Sequence, residues 1–196
     1  MIGSPARLAP DAASATDWHV RPARPGDAEA WRALQRRIYA EGDAFVGDGP
    51  PSTASLAGRL RALQARDGYV ALAVTSGEVI GWVETNRLAA RRLAHVAWLT
   101  LAVAPAWRRR GVGTALMDGA RAWAEAQRLR KLQLHVRAGN LSAIALYRRL
   151  GFLTEGVLRG QVALGADGGR YEDEWVMGLD LAAEARDGRP ARDASG

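Results

Sequence analysis

The run VAPAWRRRGVGTAL, Val103 to Leu116, joins three different kinds of sequence in fourteen residues. An apolar stretch ends at Val103, Pro105 interrupts it, and three arginines precede Gly111-Val112-Gly113. Apolar groups then recur at helical spacing at Val112, Leu116, Ala120 and Trp123. A strand, a tight loop and a helix mouth in that order leave the first N–H groups of the helix without partners. They also aim the positive end of its dipole outward. Glycines at 111 and 113 let an anion approach the backbone with no Cβ in the way, and Arg108, Arg109 and Arg110 add side-chain charge. Read alone, the same residues are equally a helix start beside a solvated charge run. Two familiar phosphate loops are excluded: the dinucleotide pattern needs a glycine where Leu116 stands, and the Walker pattern needs a Gly-Lys-Ser/Thr that is missing.

On either side of this run the elements follow one another closely. Trp18 and Val20 alternate with polar neighbours as a first strand. RPGDAEAW turns and opens a helix with Asp27 as N-cap and Trp31, Leu34 and Ile38 as buried stripe. After the loop from Glu41 to Pro51, Leu56, Leu60 and Leu63 mark a second helix. YVALAVTSGEVIGWVET is a hairpin turning at Ser76 and Gly77, and HVAWLTLAV is a longer, largely apolar strand. Gly111 to Arg128 is helical, KLQLHV is a strand, and NLSAIALYRRLGF is a helix from Asn140 that stops at Gly151. Strands near Phe152–Val162 and Tyr171–Leu181 close the pattern through the turn-rich LGADGG. The order predicts an α/β (α+β) domain over residues 17–182, a mixed sheet covered by helices with no internal repeat. Residues 1–16 and 183–196 are too poor in large apolar groups to offset ordering entropy and are expected to be tails.

The chain has 196 residues, 48% of them apolar, and a formal charge of +6. No apolar span approaches the length needed to cross a bilayer, and the start lacks the apolar core of a signal peptide. The absence of cysteine removes disulfides, thiolate metal sites and a cysteine nucleophile together, and no metal site is expected. These features predict a cytoplasmic protein with no membrane partner. Charge is uneven: Arg87 to Arg149 holds 13 basic residues against two acidic ones, Asp118 and Glu125, and the rest holds 14 basic and 19 acidic. Such a patch suits a small polyanion in a cleft or nucleic acid. Nucleic acid is the weaker option because aromatic residues do not interleave with the basic run as a base-stacking surface would.

In NLSAIALYRRLGF, Asn140 and Tyr147 lie two helical turns apart with Ala143 and Ile144 between them, so an amide and a phenol look toward one cleft. In isolation Asn140 reads as an N-cap and Tyr147 as a half-buried core residue. Together the two segments resemble the GNAT superfamily of N-acetyltransferases over about residues 17–182. The pyrophosphate loop of that family, Gln/Arg-x-x-Gly-x-Gly/Ala, stands as Arg108 to Gly113 behind Val103 and Pro105. The second signature, Asn-x-x-Ala-x-x-Leu-Tyr-x-x-x-Gly-Phe, is complete as Asn140, Ala143, Leu146, Tyr147, Gly151 and Phe152.

The resemblance implies a GNAT fold with about six to seven mostly antiparallel strands and about four helices. It implies acetyl-CoA as co-substrate: the pantetheine arm pairs with the backbone of Leu101, Ala102 and Val103, and the pyrophosphate sits on Arg109 to Thr114, with Val112 inside that loop. Asn140 and Ala143 then face the pantetheine or acetyl end, and Tyr147 reaches the sulfur as general acid. Acetyl passes directly to a primary amine, since neither a cysteine nor a Ser-His-acid arrangement is visible. The base is less legible. The strand into the arginine loop offers no acid between Ala97 and Thr100, so Glu84 on the neighbouring strand is the candidate. His95, His135 and the run Glu172, Asp173, Glu174 are further titratable groups. The alternative is an acyl-CoA-binding sensor of the same fold with little or no turnover. The amine's identity and the choice between monomer and homodimer stay open.

Overall fold

The computed structural model describes residues 18–42, 49–65, 68–164 and 169–182. Along the chain run β1 (His19–Pro22), α1 (Ala28–Tyr39), α2 (Thr53–Ala65), β2 (Tyr69–Thr75), β3 (Glu78–Arg87), β4 (Val96–Val103), α3 (Val112–Ala126), β5 (Lys131–Arg137), α4 (Leu141–Arg149), β6 (Leu153–Leu164) and β7 (Arg170–Asp180). This is the order the sequence predicts. The two expected tails lie outside the described residues, as do the middle of the Glu41–Pro51 loop and most of the turn before β7. Three further short 3-10 turns punctuate the connections.

Seven strands form one sheet in the order β1-β2-β3-β4-β5-β7-β6. Every neighbouring pair is antiparallel except β4 and β5. Helices α3 and α4 cover one face, where Ile80, Val83, Leu99, Leu116, Leu132 and Leu134 pack together. The other face carries a second core of Trp31, Leu34, Leu56, Leu60, Leu72 and Trp82 beneath α1 and α2. Roofing on both sides explains why β2 and β3 read as continuous apolar runs. Strand β5 alternates instead: Leu132, Leu134 and Val136 are buried, whereas Gln133, His135 and Arg137 are only half-buried. The face of β5 and β7 away from α3 and α4 is therefore open, because α1 and α2 belong to the β2–β3 half of the molecule.

Two local details follow from residue type. Ser76 and Gly77 both have positive φ, 24° and 88°, which suits a two-residue hairpin between Thr75 and Glu78. Asp27 does not cap α1 as expected; its carboxylate makes no cap bond to that helix. It instead accepts the N–H of Arg24 at 2.7 Å and both guanidinium nitrogens of Arg21 at 2.7 Å. The arginine on β1 just before the turn outcompetes the helix N–H groups, since a bidentate charged pair is stronger than a neutral cap bond.

The parallel pair opens the sheet. β4 and β5 are in register only at Val96↔Lys131, Ala97↔Leu132 and Trp98↔Gln133. Past Trp98 the strands part, and Leu99 to Val103 keeps β3 on one side with no strand on the other. A sheet that parts in its middle exposes backbone N–H and C=O groups that an inserted chain can pair with.

Candidate active site

The opening between β4 and β5 continues into a cleft of about 590 Å³, walled by the end of β4, the mouth of α3 and one side of α4. Eleven residues that the sequence assigns to the co-substrate line it: Leu101, Ala102, Val103, Arg108, Arg109, Gly111, Gly113, Thr114, Asn140, Ala143 and Tyr147. Three assigned residues do not. Val112 is 1% exposed and its side chain belongs to the core under α3, so only its backbone belongs to the loop. Arg110 lies over the Trp107 ring at 5.1 Å, and Glu84 lies on another face of the sheet.

The loop before α3 is built as an anion cradle. Gly111 occupies the N-cap in the left-handed region, φ 82°, and brings no side chain to cap the helix. The first intrahelical bond runs from Ala115 N–H to the Gly111 carbonyl at 3.0 Å. Among the described residues no acceptor meets the N–H groups of Val112, Gly113 and Thr114. Arg109 is also left-handed, φ 63°; such alternation turns successive N–H groups toward one concavity. Gly113 keeps the approach tight: a Cβ there would lie 3.1 Å from Leu146 Cδ2, which would have to shift.

The arginines divide their tasks differently from the sequence expectation. Arg108 donates through Nε to the Val103 carbonyl at 3.0 Å and through Nη2 to Glu41 at 2.8 Å, so it spans the cleft from β4 to the end of α1. Arg109 remains on the cleft wall. Two cations that sequence reasoning missed also line it, Arg137 and Arg149; the latter donates to Thr114 Oγ1 at 3.3 Å. Their only signal was membership of the basic Arg87–Arg149 segment.

On the α4 wall, the Asn140 side-chain carbonyl accepts the Ala143 N–H and the Ser142 hydroxyl, each at 3.2 Å. Asn140 is thus an N-cap as well as a cleft residue, and only its amide N–H₂ is left for a ligand. The Tyr147 ring packs against Phe152, and burial pushes its phenol far above the ordinary tyrosine range. It therefore holds its proton across the whole neutral range, as a proton donor must.

The candidate base is placed elsewhere. Glu84 is 3% exposed and sits within β3. Its Oε1 accepts Arg59 Nε at 2.6 Å and Asn86 Nδ2 at 3.1 Å, on the α2 side of the sheet. His95 is exposed in the turn before β4, at the end of that strand remote from the cleft. The three acids of β7 are each engaged: Glu172 with Arg137 at 2.6 Å, Asp173 with Arg159 at 2.6 Å, and Glu174 with His135 at 3.0 Å. No group of residues able to hold a metal occurs among the described residues, and no helix there is long and apolar enough to cross a membrane.

A half-open sheet with a helix mouth beside the gap and a buried phenol opposite defines a class of ligand site: a slot for a thin, extended molecule with an anionic portion. Residues 29–152 match the model of the Acetyltransferase (GNAT) family, and the chain belongs to that family. It is 31% identical over 125 residues to N-alpha-acetyltransferase RimI of Mycobacterium tuberculosis, covering 64% of this chain and 75% of that protein. A GNAT-family acetyltransferase of Streptococcus pneumoniae superposes with a TM-score of 0.77 at 25% identity, over 84% of this chain and 99% of that one. A phosphinothricin acetyltransferase of Sinorhizobium meliloti, solved in complex with AcCoA, gives 0.77 at 23% identity, over 91% and 95%. The seven-stranded sheet with four helices is the fold these proteins share.

Proposed function

We propose that this protein is an acetyl-CoA-dependent N-acetyltransferase that moves acetyl directly to a primary amine. The observation that carries the reading is the coincidence, in one cleft, of an unpaired β4 edge, an uncapped α3 mouth and the Tyr147 phenol. The slot fits acetyl-CoA by chemistry: amide groups for the free strand edge, phosphates for the N–H groups and cations at Gly111 to Thr114, and a thioester for the far wall. Arg109, Arg149 and the helix mouth hold the anionic end. The β4 backbone and the Asn140 amide orient the chain that extends from it. Tyr147 supplies a proton to the departing sulfur as the amine nitrogen bonds to the acetyl carbon.

The likeness to an N-alpha-acetyltransferase supports an amine acceptor and makes a protein α-amino group the first to test. The reading extends to a single domain over residues 17–182 acting in the cytoplasm. The deciding assay is free-thiol release from acetyl-CoA across peptides with free N-termini, polyamines, amino acids and aminoglycosides. Thiol release with at least one class, lost by roughly two orders of magnitude or more in Tyr147→Phe while acetyl-CoA still binds, supports the reading. Binding of acetyl-CoA without release for any acceptor would instead mark a sensor module.

A further inference from the structure

With Glu84 held by Arg59 and Asn86, the proton that a primary ammonium must shed before attack has no recipient among the residues assigned so far. The open face of the sheet offers one. Along β5, Leu132, Leu134 and Val136 point into the core under α3 and α4, so His135 projects from the opposite face. It is the first residue on that face beyond Trp98↔Gln133, the last pair before β4 and β5 part. Tyr147 lines the cleft from α4; His135 is not in that lining, and the register places it on the opposite face of the sheet, two residues past the last β4–β5 pair.

Its surroundings are those of a held base rather than a core histidine. The ring lies against Trp98, centroids 4.4 Å apart and planes tilted by 58°. His135 Nδ1 is 3.0 Å from Glu174 Oε2, and the two side chains are 27% and 13% exposed. A carboxylate only accepts, so Nδ1 is the nitrogen that donates to Glu174, and in the neutral ring Nε2 then bears the lone pair. No described residue bonds to Nε2. The other charged groups nearby are already paired: Arg137, two positions along β5, with Glu172, and Glu84 beyond β4 with Arg59.

We propose that His135 is the general base of the transfer and Glu174 its positioning residue; this rests on the acetyltransferase reading above. Nε2 takes a proton from the acceptor's ammonium, leaving a free amine. The amine nitrogen forms the C–N bond to the acetyl carbon as the C–S bond breaks. Tyr147 protonates the sulfur and regains its proton from the new amide nitrogen, and His135 returns the proton it took to water. One ammonium and one thioester thus give one amide, one thiol and one proton.

The test compares wild type, His135→Gln, His135→Ala and Glu174→Gln with whichever amine the wild type uses, alongside acetyl-CoA affinity and thermal stability. Loss of a general base costs on the order of 10² to 10⁴ in kcat. The expected result is such a loss in both His135 variants, with acetyl-CoA affinity kept within about twofold on the same principle that only proton transfer is removed. Imidazole added to His135→Ala should restore part of the rate, and its residual rate should climb with pH as the free amine does. Glu174→Gln should lower kcat with the KM for acetyl-CoA unchanged. Wild-type thiol release with unaltered kcat and pH profile in His135→Gln overturns this assignment alone. So does a His135→Ala variant that is folded and slow but indifferent to imidazole. No thiol release by the wild type with any amine overturns the transfer reading and this assignment together.

Discussion

Replacing Gly113 by valine tests whether the backbone or the side-chain charge of the arginine loop holds the anion. A Cβ at 113 would sit 3.1 Å from Leu146 Cδ2, 3.8 Å from Val103 Cγ2 and 3.9 Å from Leu101 Cδ2. The first distance forces Leu146 to yield, and the two γ carbons of valine then reach the Val103 and Leu101 side chains on the strand that walls the cleft. Overpacking of this kind costs about 1–3 kcal/mol. If it is felt at the cleft, it weakens acetyl-CoA roughly 5- to 150-fold, at tenfold per about 1.4 kcal/mol. Arg110→Ala removes an exposed cation stacked on Trp107 and outside the cleft lining, an arrangement worth about 0.5–1 kcal/mol to the fold, so affinity should fall less than in Gly113→Val. Calorimetric titration with acetyl-CoA at fixed salt measures both, and a melting curve of each variant confirms that it is folded. Leu146→Ala in the Gly113→Val background should recover part of the affinity by making room. If Arg110→Ala weakens binding more than Gly113→Val, the helix mouth is not the principal anion site.

Tyr147 carries a pH prediction besides its kinetic one. Its phenol is raised by burial, so the folded chain keeps a proton that the unfolded chain releases near pH 10 or so. The stability this provides is complete below that value and falls as pH rises beyond it, so Tyr147→Phe should flatten the alkaline decline seen by denaturant titration. Asp27 has the opposite sign. The Arg21 hydrogen bonds hold its carboxyl below the usual aspartate range, so that stability is present above about pH 4 and lost as pH falls. Asp27→Asn should cost about 1–2 kcal/mol at neutral pH, with the difference from wild type shrinking in acid. Glu41→Gln releases Arg108 from its partner on the end of α1. An exposed pair of this sort is worth roughly 0–1 kcal/mol, so melting should barely change while acetyl-CoA binds a few-fold tighter, and weaker binding would mean that Glu41 itself holds the loop open.

The order of elements was legible because each announces itself locally: two-residue hairpin chemistry at Ser76-Gly77, a glycine before α3, an asparagine cap before α4. So was the grouping of Gly111, Gly113, Asn140 and Tyr147 around one cleft, since they are read at fixed spacings within two continuous segments. What the sequence hid depends on partners far along the chain. Glu84 reads as a strand-end acid, but Arg59 and Asn86 hold it on the α2 side. Arg108 reads as one of three equivalent arginines, yet Glu41 and the Val103 carbonyl turn it across the cleft. His135 is inconspicuous on a strand until β7 sets Glu174 beside it, a pairing across thirty-nine positions. Spacing reveals groups on one element; it says nothing of which acid meets which base.

The parting of β4 from β5 also bears on how this sheet avoids unwanted company. Unpaired strand edges invite other chains to add on, and proteins usually blunt them with charge, proline or cover. The peripheral strands here show such measures: β1 is short and ends in Pro22, and the outermost strand β6 carries Arg159 braced to Asp173 and two breaks in register. The edge of β4 from Leu99 to Val103 has none of them; it lies inside the sheet, beside the cleft that α3 and α4 help to line. A strand from another molecule would have to enter between β4 and β5 of a continuous seven-stranded sheet rather than add at its rim. An interior position is thus its own safeguard, since edge-to-edge addition acts on the outermost strands β1 and β6 and not on β4.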